Sequence, residues 1–183
     1  MNRLFTTGLA TVALMVPVFF DAAAFARDGA LAQSAQTKPQ VQLALAAEKK
    51  IIQRDEKGKE QVTWQALDSS KTVVQSGDVL RYTVTGKNTS DKPAANLVIT
   101  EPMPKGTVYI LNSNSVDSEA KTTYSIDGAK SFTDKPMVKV TLPNGKVESK
   151  PAPAEAYTNV RWNFANNLAP KAAVKAMYEV KVR

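Results

Sequence analysis

The sequence contains no cysteine and no histidine. Without thiolate or imidazole there is no ordinary zinc or copper site, no Ser-His-Asp triad and no cysteine nucleophile. No disulfide can staple the chain, so its stability must come from packing. Carboxylates, lysine, serine and tyrosine remain for catalysis. The one adjacent pair that suggests a nucleophile and base, Ser70-Lys71, would point to opposite faces of an extended chain. The expectation is a non-enzyme without a cofactor.

Long apolar runs are also missing, with one exception at the start. Met1 to Arg3 carries a basic side chain, and Leu4 to Phe20 is mostly apolar and uncharged. That is the layout of a secretory signal peptide. The run includes Thr6, Thr7, Gly8 and Pro17 and falls short of the ~20 residues of a spanning helix. Two small-x-small sites follow it. Cleavage is expected after Ala32, before Gln33, with Ala24-Phe25-Ala26 before Arg27 as the alternative. Gln33 to Gln40 reads as a flexible tether, polar and broken by Pro39. Residues 41–183 then read as a single domain, secreted to the periplasm, cell surface or medium, either soluble or peripherally attached.

The formal charge is +7. In the leader, Arg3 and Arg27 offset Asp21 and Asp28, so cleavage leaves the balance unchanged. The excess favours anionic envelope polymers or lipid headgroups. The densest basic stretch, Lys49, Lys50, Arg54, Lys57 and Lys59, is interleaved with Glu48, Asp55, Glu56 and Glu60, and that pattern argues against nucleic acid. The scattered lysines elsewhere suit strand edges, where charge deters pairing between molecules. The expected partner is an envelope or matrix protein or an anionic polysaccharide, and peripheral membrane contact is compatible with the charge.

Alternation dominates the rest of the chain. Val41, Leu43, Leu45 and Ala47 share one face. Their Ala- and Leu-rich setting also suits a helix, but the period of two and the β-branched Ile51-Ile52 favour a strand. Asp55 to Lys59 turns the chain into Val62, Trp64 and Ala66, with Trp64 expected to bury against the first strand. Asp127-Gly128 and Pro143-Asn144-Gly145 mark two hairpins, one joining Thr122–Ile126 to Lys130–Thr133 and the other joining Met137–Leu142 to Lys146–Ser149. Val160, Trp162 and Phe164 form a further strand. Val174, Ala176, Tyr178, Val180 and Val182 form the clearest one. About nine or ten short strands with regular turn signals predict an all-β fold, an immunoglobulin-like antiparallel β-sandwich.

The stretch from Ser76 to Gly106 is the most patterned. Gly77-Asp78 turns, and Leu80, Tyr82 and Val84 alternate with polar positions. Asn88 to Pro93 forms a polar loop, Asn96 to Thr100 a second strand, and Pro102-Met103-Pro104 ends it. This order resembles the domain-of-unknown-function eleven family, the OmcB-like conserved repeat of bacterial secreted and surface proteins. Gly77, Asp78, Tyr82, Asn88, Pro104 and Gly106 match its pattern, while Glu101 stands where that family more often has Asp. The resemblance extends through residues 123–132 and 161–182. It implies the sandwich fold and an envelope or extracellular address, with a structural or adhesive role and no reaction.

An alternative function is recognition of a glycan or calcium through loops at one end. Asp117, Glu119, Asp127 and Asp134 are the calcium candidates, all in loops or turns without EF-hand spacing. Trp64, Tyr109, Tyr124, Tyr157, Trp162 and Tyr178 are candidates for a sugar platform, though Trp64, Trp162 and Tyr178 fall in phase with core positions. Asn88-Thr89-Ser90 is formally a glycosylation acceptor and more simply a turn.

Overall fold

Three strands show why this sequence makes sheets. In Val79–Asn88, Asn159–Phe164 and Ala173–Val182, inward and outward positions alternate in burial along nearly their whole length. Successive side chains on a strand point to opposite faces, so one apolar face needs a partner layer. The computed structural model describes residues 40–68 and 72–183. The cleavage site Ala32-Gln33, nearly all of the tether and Ser70-Lys71 lie outside the described residues.

Among the described residues there are eleven strands and one 3₁₀ turn, Ala154–Ala156. In chain order the strands are β1 Val41–Arg54, β2 Glu60–Ala66, β3 Val79–Asn88, β4 Val98–Pro102, β5 Thr107–Tyr109, β6 Ser115–Val116, β7 Ala120–Ser125, β8 Met137–Thr141, β9 Val147–Pro151, β10 Asn159–Phe164 and β11 Ala173–Val182. One sheet runs β2-β1-β3-β11-β5, with β6 also on β11. A second runs β4-β10-β7, and β8-β9 is a separate hairpin. All the pairings are antiparallel. The fold is all-β and sandwich-like, as expected, with slightly more strands than the turn signals suggested.

The two larger sheets share one core. Leu80, Tyr82 and Val84 from β3 and Val174, Ala176, Tyr178 and Val180 from β11 meet Ile99 from β4 and Val160, Trp162 and Phe164 from β10. Tyr82 and Tyr178 are direct cross-strand partners whose rings stack with centroids 5.5 Å apart. Trp162 reaches Tyr178 from the opposite sheet, at 6.1 Å. Gly86, also on the inward face of β3, lets the sheets approach. A Cβ there would lie 3.3 Å from Ile99 Cδ1 and 3.5 Å from both Leu43 Cδ2 and Val174 Cγ2.

β1 is a strand despite its helix-forming composition, because ladder pairing to β3 along its first part and to β2 along its second takes up much of its backbone. Val41 to Lys49 pair with β3, and Glu48 to Arg54 pair with β2. The strand thus changes neighbours midway, and the β1–β2 ribbon runs on past β3. Trp64 corrects an expectation. It lies half-buried outside the core, with the Arg81 guanidinium carbon 4.0 Å from its ring centroid. Arg81 also donates to Glu48 Oε2 through Nε (3.0 Å) and Nη2 (2.8 Å). A period-two pattern places Trp64 on a face without saying which face is covered, and here a cation covers it instead of a sheet.

Two boundaries also move. Asn96 adopts φ 54°, so the second strand of the Ser76–Gly106 motif starts at Val98 and continues through Pro102, which pairs with Asn159. The expected hairpin around Asp127-Gly128 closes differently. Its second arm makes only the bridge Tyr124↔Thr133. Asp127 Oδ1 instead accepts from Lys130 N (3.1 Å), Ser131 N (3.0 Å) and Ser125 Oγ (2.7 Å). The side chain takes the amides that a strand ladder would have used.

Candidate functional site

One cavity gathers three tyrosines that are far apart in sequence. Tyr109 ends β5, Tyr124 lies on β7, and Tyr157 follows the 3₁₀ turn. Their ring centroids are 5.2 to 5.5 Å apart, and the Tyr124–Tyr157 pair meets edge to face at 74°. This is favoured aromatic geometry. Asn114 holds the inner pair. Its Oδ1 accepts from the Tyr124 hydroxyl and lies 3.3 Å from that of Tyr109, and its Nδ2 donates to Thr122 Oγ1 at 3.2 Å. Burial is the main cause that pushes the Tyr124 phenol well above its ordinary range and raises that of Tyr157. The Tyr109 hydrogen bond adds to it at Tyr124, and charge interaction with Tyr109 adds to it at Tyr157. Near neutral pH these phenols are hydrogen-bonding groups and not bases.

The cavity holds about 260 Å³. Leu111, Pro136, Met137 and Pro151 extend its apolar wall, while Asn112, Asp134 and Lys135 bring polar groups to it. Of the six aromatics considered as a platform, Tyr109, Tyr124 and Tyr157 come together here. Trp162 and Tyr178 are core, and Trp64 lies under Arg81.

The four calcium candidates do not assemble. Among the described residues no group of three or more acidic side chains could hold a metal ion. Each carboxylate is engaged locally: Asp117 Oδ1 accepts from Lys175 N (2.8 Å), Glu119 Oε2 from Asn166 Nδ2 (3.4 Å) and Asp134 Oδ1 from Thr133 Oγ1 (3.3 Å). Asp127 is spent on its own turn, chiefly on Ser131, and those hydrogen bonds hold its carboxyl well below the usual carboxylate range. Because its folded pKa is depressed, its contribution to the turn is present above the unfolded pKa and fades only as pH falls through the lower, folded value.

The glycosylation acceptor is closed as well. Asn88 is fully buried, and its Nδ2 donates to the carbonyls of Lys92 (2.7 Å), Leu168 (3.0 Å) and Ala169 (3.2 Å). A signal for this was present in the sequence, since Asn88 is in phase with the inward positions Leu80, Tyr82, Val84 and Gly86.

A second feature is the edge of β1. Hydrogen-bonding direction alternates along an antiparallel strand. Ala47 O accepts from Leu67 N (2.8 Å) and Asp55 N donates to Lys59 O (3.0 Å), so odd positions bond towards β2. The register along β1 is unbroken. The N–H and C=O groups of Val41, Leu43 and Leu45 therefore face away from β3, and no described residue pairs with them. Leu43 and Leu45 are 53% and 52% exposed although they point to the core side, because the three-stranded sheet does not reach over β1. The window from Val41 to Ala47 contains neither charge nor proline, the usual protections of an exposed edge. By contrast, β4 at the edge of its sheet carries Glu101 and Pro102.

The fold and these two features define an all-β, sandwich-like protein with an aromatic cavity and, among the described residues, an unpaired strand edge. Among its described residues no helix is long and apolar enough to cross a membrane. No family model, curated protein or solved structure matches the chain.

Proposed function

We propose that this chain is a secreted, non-catalytic module of immunoglobulin-like type with a structural or adhesive role at a bacterial cell envelope or extracellular matrix. The observation that carries the reading is the open edge of β1. Three alternate outward-bonding positions, Val41, Leu43 and Leu45, the last two half-exposed, suit a partner strand: main-chain hydrogen bonds supply affinity and the leucines supply apolar contact. The leader pattern at Met1 to Ala32 and the motif order from Ser76 to Gly106 support the address and the sandwich type. The net charge of +7 favours surroundings rich in anionic polysaccharide.

The test is fractionation of the native host expressing either the wild type or Leu45→Lys. A lysine at this half-exposed position places on the edge the charge that natural edges carry, without touching the β3 pairing. The wild type is expected in the envelope or matrix fraction and the variant mainly in the soluble fraction, with unchanged thermal midpoints. Equal partitioning of the two proteins, or a wild type found only in the soluble fraction, would remove the basis of the proposal.

A further inference from the structure

The tyrosine cavity plays no part in that strand-edge reading, and its construction points to a ligand. We infer that it is a sugar subsite that receives a single pyranose ring of an envelope or matrix polysaccharide. At about 260 Å³ it lies below the roughly 300–1,000 Å³ of sites for drug-sized molecules, which suits one ring and not a folded chain. Its two kinds of surface match the two kinds of surface on a pyranose. The ring's C–H face is apolar and weakly positive, and it packs against the negative face of an aromatic ring. Its equatorial hydroxyls need donors and acceptors around the rim.

The cavity supplies both. Tyr109, Tyr124 and Tyr157 form the aromatic wall, and the first two are fixed by Asn114, so little side-chain freedom is lost on binding. Asp134, an acceptor when ionised, and Lys135, a donor, line the rim next to each other in the chain. The Lys135 ammonium has no ion-pair partner among the described residues. Tyr157 is the outermost of the three tyrosines, and its hydroxyl bonds to no described residue. A proline-rich peptide would also favour tyrosine, but its apolar rings offer no hydrogen bonds to the Lys135 ammonium, the Tyr157 hydroxyl or the remaining acceptor positions of Asp134, whereas sugar hydroxyls do. The same polar groups make a purely hydrophobic ligand a poor fit.

The inference shares only the envelope address with the strand-edge proposal and fails separately from it, because the measurement is made on the purified protein in solution. Amide resonances are followed while chitohexaose, cellohexaose and hexagalacturonate are titrated in turn to about 10 mM, a range that detects dissociation constants in the millimolar range. At least one of these sugars is expected to shift the amides of Tyr109, Leu111, Tyr124 and Tyr157 in a saturable way. Tyr157→Ala should weaken that binding about tenfold or more, and Tyr157→Phe should retain most of it, since the ring does the stacking. Trp64→Ala, an aromatic truncation remote from the cavity, should leave it unchanged. The inference is overturned if none of the three sugars shifts those amides, if Tyr157→Ala binds as the wild type does, or if a polyproline peptide saturates the cavity where the sugars do not.

Discussion

Asn88→Ala is expected to lower the unfolding free energy by about 3 kcal/mol. The estimate follows from what the amide does. Asn88 closes β3 and is fully buried, and its Nδ2 donates to three carbonyls, of Lys92, Leu168 and Ala169. Its Oδ1 accepts from Ser90 N at 3.0 Å and Ser90 Oγ at 2.7 Å. One side chain therefore fastens the loop after β3 to the corner that leads into β11, where Ala94 and Leu168 also bridge. A net hydrogen bond contributes about 1 kcal/mol, and a buried carbonyl left without its donor costs about 1–3 kcal/mol more. Asn88→Asp should be at least as damaging, because it sets a carboxylate against three carbonyl oxygens. Urea unfolding of the three proteins reads the effect. A loss below about 1 kcal/mol for alanine would mean that water replaces the amide and that the loop stands without it.

The second large effect is at Trp162. Its side chain is fully buried between the sheets, and truncation to alanine should cost about 3–5 kcal/mol, the range for large core aromatics. Against the 5–15 kcal/mol of a typical domain, that change brings the protein close to unfolding. Trp162→Phe separates volume from polarity. The indole Nε1 is buried with no hydrogen-bond partner among the described residues, so phenylalanine removes an unsatisfied donor while keeping most of the ring. Its net cost should be about half that of alanine or less, because only part of the buried ring volume is lost. If phenylalanine proved as damaging as alanine, the indole nitrogen would have to be satisfied in solution.

Particular residues explain which parts of this architecture were legible in the sequence. β3, β10 and β11 were, because they lie inside sheets whose two faces differ, and burial then follows the period of two. Asn88 was readable in principle, being an asparagine in an inward phase, where a polar group must find partners. Trp64, Leu43 and Leu45 were not. Their alternation assigns each to a face, but whether the face is covered depends on how many strands the opposite sheet has. Among the described residues the three strands opposite do not reach over β1, and a guanidinium shields Trp64 on the outer side. The tyrosine cavity was the least legible feature. Tyr109, Tyr124 and Tyr157 meet only through the closure of two sheets and a connecting turn, and nothing local in the sequence links them. The acidic loop residues illustrate the reverse case: each looked available, and each was already bonded to a neighbouring amide or hydroxyl.

The central claim is that the bare edge of β1 is where this protein meets its partner. In-cell photocrosslinking tests it most directly, with a benzophenone amino acid placed at Leu43 in the native host and, as a control, at the exposed Lys121 on β7. The proposal predicts a discrete adduct with an envelope or matrix component from position 43 and none from position 121. No adduct from position 43, or the same adducts from both positions, would contradict it.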